Sequence, residues 1–252
     1  MITFDGTNDY ITMGAASGLN AQNFTLSAWI YKTGTGATAS TGTGGVVAYP
    51  IVTKGRGEAD TPANLNLNYF MGWRSSDNVL VGDFEDSAIG LNHPIAGTTV
   101  LALNTWYHVC YVFDNVNSLG KLYVNGVQEG SSTSIAFSPE PNSIQHFGIG
   151  TAMTSAGTAA GFWAGHITEV AMWSSVLTDA EIAILGKARL KGLPYQIQKS
   201  NLKGYWMLDD FADGVTASGA GAIKDRTGNT TVYNGTPTNS PVGKAEFLLS
   251  YN

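Results

Sequence analysis

Cysteine is nearly absent from this 252-residue chain and charge is scarce: Cys110 stands alone, and Asp, Glu, Lys and Arg make up 13% of the residues. A single cysteine excludes an intrachain disulfide. It sits in the densest apolar segment, Trp106 to Phe113, where a free thiol behaves as a small core residue. The net charge is −6 and Lys and Arg never cluster, which excludes the basic patch that nucleic acid requires. No apolar stretch approaches the roughly 18 residues of a membrane span, so no membrane partner is expected. The opening Met1-Ile2-Thr3-Phe4-Asp5-Gly6 lacks the basic and apolar regions of a secretory signal peptide. The expectation is a chain made in the cytosol that acts on a virus particle or outside a cell. The four histidines, His93, His108, His146 and His166, show no metal-ligand spacing, and no Ser-His-Asp or Cys-His arrangement stands out.

What is plentiful points to β structure. Gly occurs 31 times, beside 6 Trp, 11 Tyr and 10 Phe, a mixture suited to short strands joined by many turns. Thr105 to Val127, TWYHVCYVFDNVNSLGKLYVNGV, reads as a hairpin. In its first arm Trp106, His108, Cys110 and Val112 share one side and Tyr107, Val109, Tyr111 and Phe113 the other, so both faces are at least partly covered. Asn125-Gly126 tolerates positive φ and suits a tight turn.

Further strands are expected over 2–13, 24–32, 46–53, 64–73, 147–150 and 162–173. In 64–73, Leu65, Leu67, Tyr69, Met71 and Trp73 line one side and Asn64, Asn66 and Asn68 the other, which predicts one buried and one wet face. Residues 33–45 and 151–161 are runs of small residues that read as surface loops, and 83–97 reads as irregular and acidic. One helix is expected over 179–191, with Thr178 and Glu181 forming a capping box.

Five ordered segments carry a family resemblance. Phe4-Asp5-Gly6-Thr7-Asn8-Asp9-Tyr10-Ile11 resembles an F-D-G-x-x-D-Y-V strand, and Phe24-Thr25-Leu26-Ser27-Ala28-Trp29-Ile30 resembles F-T-I-S-x-W-V. The Trp106 to Gly126 hairpin, Gly165 to Trp173 (GHITEVAMW) and Leu177 to Ile182 (LTDAEI) complete the set. Together they resemble the laminin-G-like jelly rolls of the concanavalin A-like lectin and pentraxin superfamily. The resemblance implies an all-β, two-sheet antiparallel jelly-roll sandwich with one short helix near 179–191.

Leu202 to Gly235 resembles the segment with which ordinary members begin, although here it follows the rest. The order therefore looks circularly permuted: 1–190 forms most of the sandwich and 201–252 supplies the first strands of a single 1–252 domain. The tail could instead be a truncated second domain, or complete a neighbouring chain.

Glycoside hydrolases share this architecture, but the E-x-D-x-x-E string that sets carboxylates along one strand does not occur. The nearest match, Asp83-Phe84-Glu85-Asp86, falls among turn residues. No catalytic residues are expected. Calcium is a candidate cofactor through Asp5 and Asp9 in the first hairpin and Asp225 with Asn229 in the DRTGN turn. Glu169 is a weaker candidate, since the family's Asp before it is Thr168 here. Asp and Asn are also ordinary turn formers, so the turn reading stands beside the metal one.

A glycan would need exposed aromatics and amides: Tyr69, Trp73, Trp163, Asn66 and Asn68 are the candidates, with Tyr49 and Asn64 beside them. The apolar phase of Tyr69 and Trp73 equally suits the core. The expectation is a non-catalytic recognition or adhesion module for glycans or other surface polymers, displayed on a virion surface as a decoration or fibre protein. The alternative is an assembly protein that binds neighbouring subunits, including copies of itself.

Overall fold

The computed structural model describes residues 1–58, 66–187 and 191–245, in which two antiparallel sheets pack face to face. In the first sheet Val127–Gln128, Leu119–Val124, Trp106–Asp114, Phe24–Lys32, Ala164–Trp173, Ile2–Asp5 and Val242–Gly243 lie side by side in that order. Leu202–Trp206 adds to Ala164–Trp173, and Thr133–Ser134 to Leu119–Val124. The second sheet runs Thr236–Thr238, Tyr10–Gly14, Phe147–Ile149, Val47–Gly55, Leu67–Arg74, Leu80–Asp83, Ile95–Ala96, with Ala39–Ser40 beside Val47–Gly55.

Strand alternation builds the core. Phe24, Leu26, Ala28 and Ile30 point inward from the first sheet and meet Ile51, Tyr69, Met71, Trp73 and Phe147 of the second. Each Leu, Ile, Met or Phe among them, fully buried, contributes about 1.5–3 kcal/mol. The outward phase of the first sheet splits into two regions. At one end Cys110, Val112, Ala171 and Trp173 are covered by Ile182 and Leu185 of the helix and by Leu177 and Tyr205. That second small core is why the Trp106–Asp114 strand is apolar on both sides. At the other end no helix among the described residues arrives, and the outward side chains stay partly exposed.

The helix spans Asp179–Lys187. Its capping box forms as expected: the Glu181 amide donates to Thr178 Oγ1 at 3.3 Å, and the Thr178 amide donates to Glu181 Oε2 at 2.8 Å. The expected helical residues Ala188, Arg189 and Leu190 lie outside the described residues, as do Asn64 and Leu65. The helix lies so close to the Asn125-Gly126 turn that a Cβ on Gly186 would sit 2.1 Å from the Gly126 nitrogen. Only glycine fits that crossing.

The tail enters both sheets. Leu202–Trp206 pairs with Val170 to Trp173, Thr236–Thr238 with Thr12 to Tyr10, and Val242–Gly243 with Ile2 and Thr3. Ile2–Asp5 and Leu202–Trp206 thus occupy successive halves of the same edge of the Ala164–Trp173 strand. At the junction the strand bulges between Thr168 and Ala171, and Glu169 takes a left-handed φ of 51°.

Three local expectations are corrected. The asparagine side of Leu67–Arg74 is not wet: Asn66 and Asn68 are buried. Asn68 bonds the Ala21 amide and the Ala21 and Glu140 carbonyls, because the loops through 20–22 and 139–142 fold over that face. The small-residue loops are also partly ordered, with Ala39–Ser40 in the second sheet and Ala152–Met153 paired to Ala159–Ala160. The 83–97 segment is an organised turn system, in which the Asp83 carboxylate accepts from Thr41 Oγ1 at 2.6 Å, the His93 amide at 2.9 Å and Asn92 Nδ2 at 3.1 Å.

Candidate functional site

The aromatic residues singled out from the sequence go into the core. Tyr69, Trp73 and Trp163 are 0% exposed. Trp73 and Trp163 meet edge to face at 6.2 Å, and Tyr69 donates its hydroxyl to the Leu19 carbonyl at 2.8 Å. Tyr49 is half-buried beneath the Lys32 ammonium, 4.0 Å from its ring centre. With Asn66 and Asn68 also buried, none of the five expected ligand contacts offers a face to a ligand, and the core reading replaces them. Tyr69 and Trp73 lie on the inward phase of the Leu67–Arg74 strand, Trp163 packs against Trp73 just before the Ala164–Trp173 strand, and loops cover Asn68 on the other face.

The four expected metal ligands form two separate pairs. Asp225 accepts the Tyr205 and Thr227 amides on Oδ1 and the Tyr233 amide on Oδ2, and Asn229 donates to the Leu202 carbonyl. Those bonds hold the tail's turns, and the pair by itself falls short of the six to eight oxygens that calcium takes. Glu169 is likewise engaged, accepting the Tyr205 hydroxyl at 2.5 Å and the Gly192 amide at 3.1 Å. Among the described residues no group of three or more His, Cys, Asp or Glu has metal-holding geometry.

Asp5 and Asp9 do come together. Asp5 Oδ1 accepts the amides of Thr7, Asn8 and Asp9, while Asp9 accepts the Asp5 amide on Oδ2 and the Ser240 amide on Oδ1. Burial pushes the Asp5 carboxyl up, but those three amides outweigh it and hold it below the ordinary range. Asp9 moves the other way, raised by burial and by the Asp5 charge against the Ser240 amide. The two carboxylates line an open depression of about 480 Å³ together with Thr3, Asn8, Asn239 and Ser240.

Next to this depression lies a cluster that the sequence reading missed. Register aligns Trp106 with Tyr31, Tyr31 with His166, and His166 with Thr3 across four neighbouring strands. All four side chains lie on the outward phase, beyond the reach of the helix, and all are only partly buried. The Tyr31 ring stacks on His166 at 5.3 Å and 18°, Trp106 lies 5.3 Å from Tyr31, and Trp106 and His166 are 6.3 Å apart. The three rings form a compact triangle. Thr3 Oγ1 bonds His166 Nδ1 at 2.8 Å and also lines the depression, so the aromatic and polar parts are continuous. Gly165, beneath this cluster, has φ +132°, and a Cβ there would come within 2.1 Å of the Tyr31 carbonyl oxygen. The sequence signal was an aromatic or histidine one step out of phase with the core residues Ile30, Val109 and Ile167, and only register shows that three such residues meet.

Deeper on the same face, Ser27 Oγ and His108 Nε2 are 2.8 Å apart and both residues are buried. With Trp29, Glu169, Leu185 and Pro194 they line a cavity of about 10 Å³, at the lower limit for one water. Burial pushes the His108 imidazole down to about 3 and the Cys110 thiol up, so neither is poised as a base or nucleophile near neutrality.

The family model for the concanavalin A-like lectin/glucanases superfamily matches residues 5–183. No curated protein matches the chain. Among solved structures, a Bacteroides ovatus protein described as carbohydrate-binding is 20% identical with a TM-score of 0.58; the match covers 97% of this chain and 61% of that one. The carbohydrate-binding module (CBM40) of a Ruminococcus gnavus sialidase, bound to α2,3-sialyllactose, is 12% identical with a TM-score of 0.55, covering 73% of this chain and 94% of that one. A heptameric pentraxin from Limulus polyphemus is 18% identical with a TM-score of 0.50, covering 73% and 80%. At these identities the likeness is one of fold.

Proposed function

This chain belongs to the concanavalin A-like lectin/glucanases superfamily, and on that footing we propose that it is a non-catalytic glycan-recognition module. The observation that carries the proposal is the partly exposed Trp106–Tyr31–His166 cluster running into the Asp5–Asp9 depression. Aromatic rings receive the C–H faces of sugars, and adjacent carboxylates, amides and hydroxyls receive their hydroxyl groups, a division of labour common to small polar ligands in mostly apolar sites. The Bacteroides and Ruminococcus structures carry carbohydrate-binding descriptions on the same architecture, which supports the reading. The buried and hydrogen-bonded state of Ser27, His108 and Glu169 supports a binding rather than a hydrolytic role.

The test is a glycan-array screen of the wild-type chain and of Trp106→Ala. Selective binding that weakens about tenfold or more, or roughly 1.4 kcal/mol, in the variant supports the site. Binding that Trp106→Ala leaves untouched moves recognition elsewhere on the surface.

A further inference from the structure

We infer that this site takes neutral, hydroxyl-rich oligosaccharides and excludes sialylated, uronic-acid and sulfated ones. The inference rests on the glycan-recognition reading and adds to it the ligand's charge class. Among the described residues, the charged side chains that line the depression are two carboxylates, and neither Lys nor Arg lines it. Asp5 stays ionised because the amides of Thr7, Asn8 and Asp9 stabilise its charge, all three through Oδ1. Its Oδ2 is left to accept a hydroxyl from a ligand, and a sugar hydroxyl is a donor suited to that atom.

An anionic sugar would bring its charge against Asp5 with no Lys or Arg among the described lining residues to meet it. Lys244, the side chain whose charge His166 feels most, is held by Asp213 at 3.2 Å. The α-amino group, which His166 also feels, lies outside the lining of the depression. Like charges placed together cost specificity energy of the kind that separates one partner class from another.

Length follows from register. Trp106 and the Thr3–Asp5 pair stand on strands three intervals apart, which at about 4.8 Å per interval is about 14 Å. A ligand that touches both ends is therefore an extended oligosaccharide with several rings, since one ring cannot reach.

The experiment is an array of matched neutral and acidic oligosaccharides, probed with wild type, Trp106→Ala, His166→Ala and Asp5→Asn. Each variant is checked first for an unchanged cooperative melt. Asn at position 5 keeps an oxygen for the three amides, so the hairpin is preserved while the charge is removed. Neutral chains are expected to bind at least tenfold more tightly than their acidic counterparts, with that ratio shrinking in Asp5→Asn and binding lost in Trp106→Ala or His166→Ala. Acidic glycans bound equally or better, and still dependent on Trp106, would overturn the charge inference and leave the recognition reading standing. Silence toward both classes would overturn the recognition reading itself, and with it the inference.

Discussion

Met1 and Lys244 face each other across the edge of the first sheet, the Lys244 amide donating to the Met1 carbonyl at 3.0 Å and the α-amino group to the Lys244 carbonyl at 3.3 Å. Positions 243 apart in the chain are thus backbone partners, and the strands beside them, Ile2–Asp5 and Val242–Gly243, continue the pairing. Such proximity of the two ends is what a permuted order requires.

The tail's own side chains give the first prediction. Trp206 is 0% exposed, packs 5.0 Å from Phe147 and donates Nε1 to the Tyr233 carbonyl at 2.7 Å, and Leu208, Ala217 and Ile223 join it in the main core. Deleting residues 201–252 is expected to give insoluble or unfolded protein, and Trp206→Ala to cost about 3–5 kcal/mol in urea unfolding. A truncation that stays soluble and melts cooperatively would show that 1–200 stands alone. A permutant joining 245 to 1 and opened near 190 is expected to keep the wild-type circular dichroism spectrum.

The buried carboxylates tilt the stability profile between about pH 4 and pH 8. Burial pushes Asp83 up to about 7, and burial together with the charges of Glu58 and Asp83 pushes Glu85 up to about 8. Both hold a proton more tightly in the folded chain than at their ordinary values of 3.8 and 4.5. Their contribution is therefore complete at low pH and is lost as pH rises through about 8. Lys54 acts with the opposite sign at higher pH, because burial lowers it from 10.5 to about 7. The difference between Glu85→Gln and wild type isolates the carboxylate. It should become more favourable to the variant from pH 5 to pH 9 in thermal melts, and a flat difference would count against an ionisable Glu85.

His108 governs the acid side. Burial depresses it from 6.5 to about 3, so the unfolded chain takes up a proton that the folded chain refuses. Stability from this residue is full above pH 6.5 and drains away as pH falls toward 3. His108→Gln, which can still bond Ser27, is expected to lose less stability than wild type between pH 6.5 and 4. Parallel melting curves for the two proteins would contradict the assignment.

Chelation provides a fourth check. Asp5 with Asp9 and Asp225 with Asn229 stand as separate pairs, and among the described residues no group of three or more His, Cys, Asp or Glu gathers around either. The melting temperature is expected to be the same in excess EDTA as in millimolar calcium. A drop of several degrees, reversed by calcium, would reveal a bound ion contributing by mass action.

Much of the architecture was legible because it depends on local pattern. The Asn125-Gly126 turn, the Thr178–Glu181 box and the alternation of Phe24 to Ile30 each report a constraint contained within a few residues. The site was far less legible. Tyr69, Trp73 and Trp163 were singled out as aromatics near loops, yet alternation on a central strand buries Tyr69 and Trp73, and Trp163 packs against Trp73. Asn66 and Asn68 are polar and still buried, because loops distant in sequence cover their face and take their hydrogen bonds.

The sequence alone determined that this chain alternates into strands, caps one helix and has no disulfide, since these follow from side-chain period, turn chemistry and a single thiol. Tertiary structure alone decided which outward-facing side chains meet and which are covered. Helix Asp179–Lys187 closes one end of the first sheet over Cys110 and Trp173, and leaves Tyr31, Trp106 and His166 partly exposed at the other. Strand register and the landing place of a helix are set by contacts between residues far apart in the chain. No local pattern encodes them.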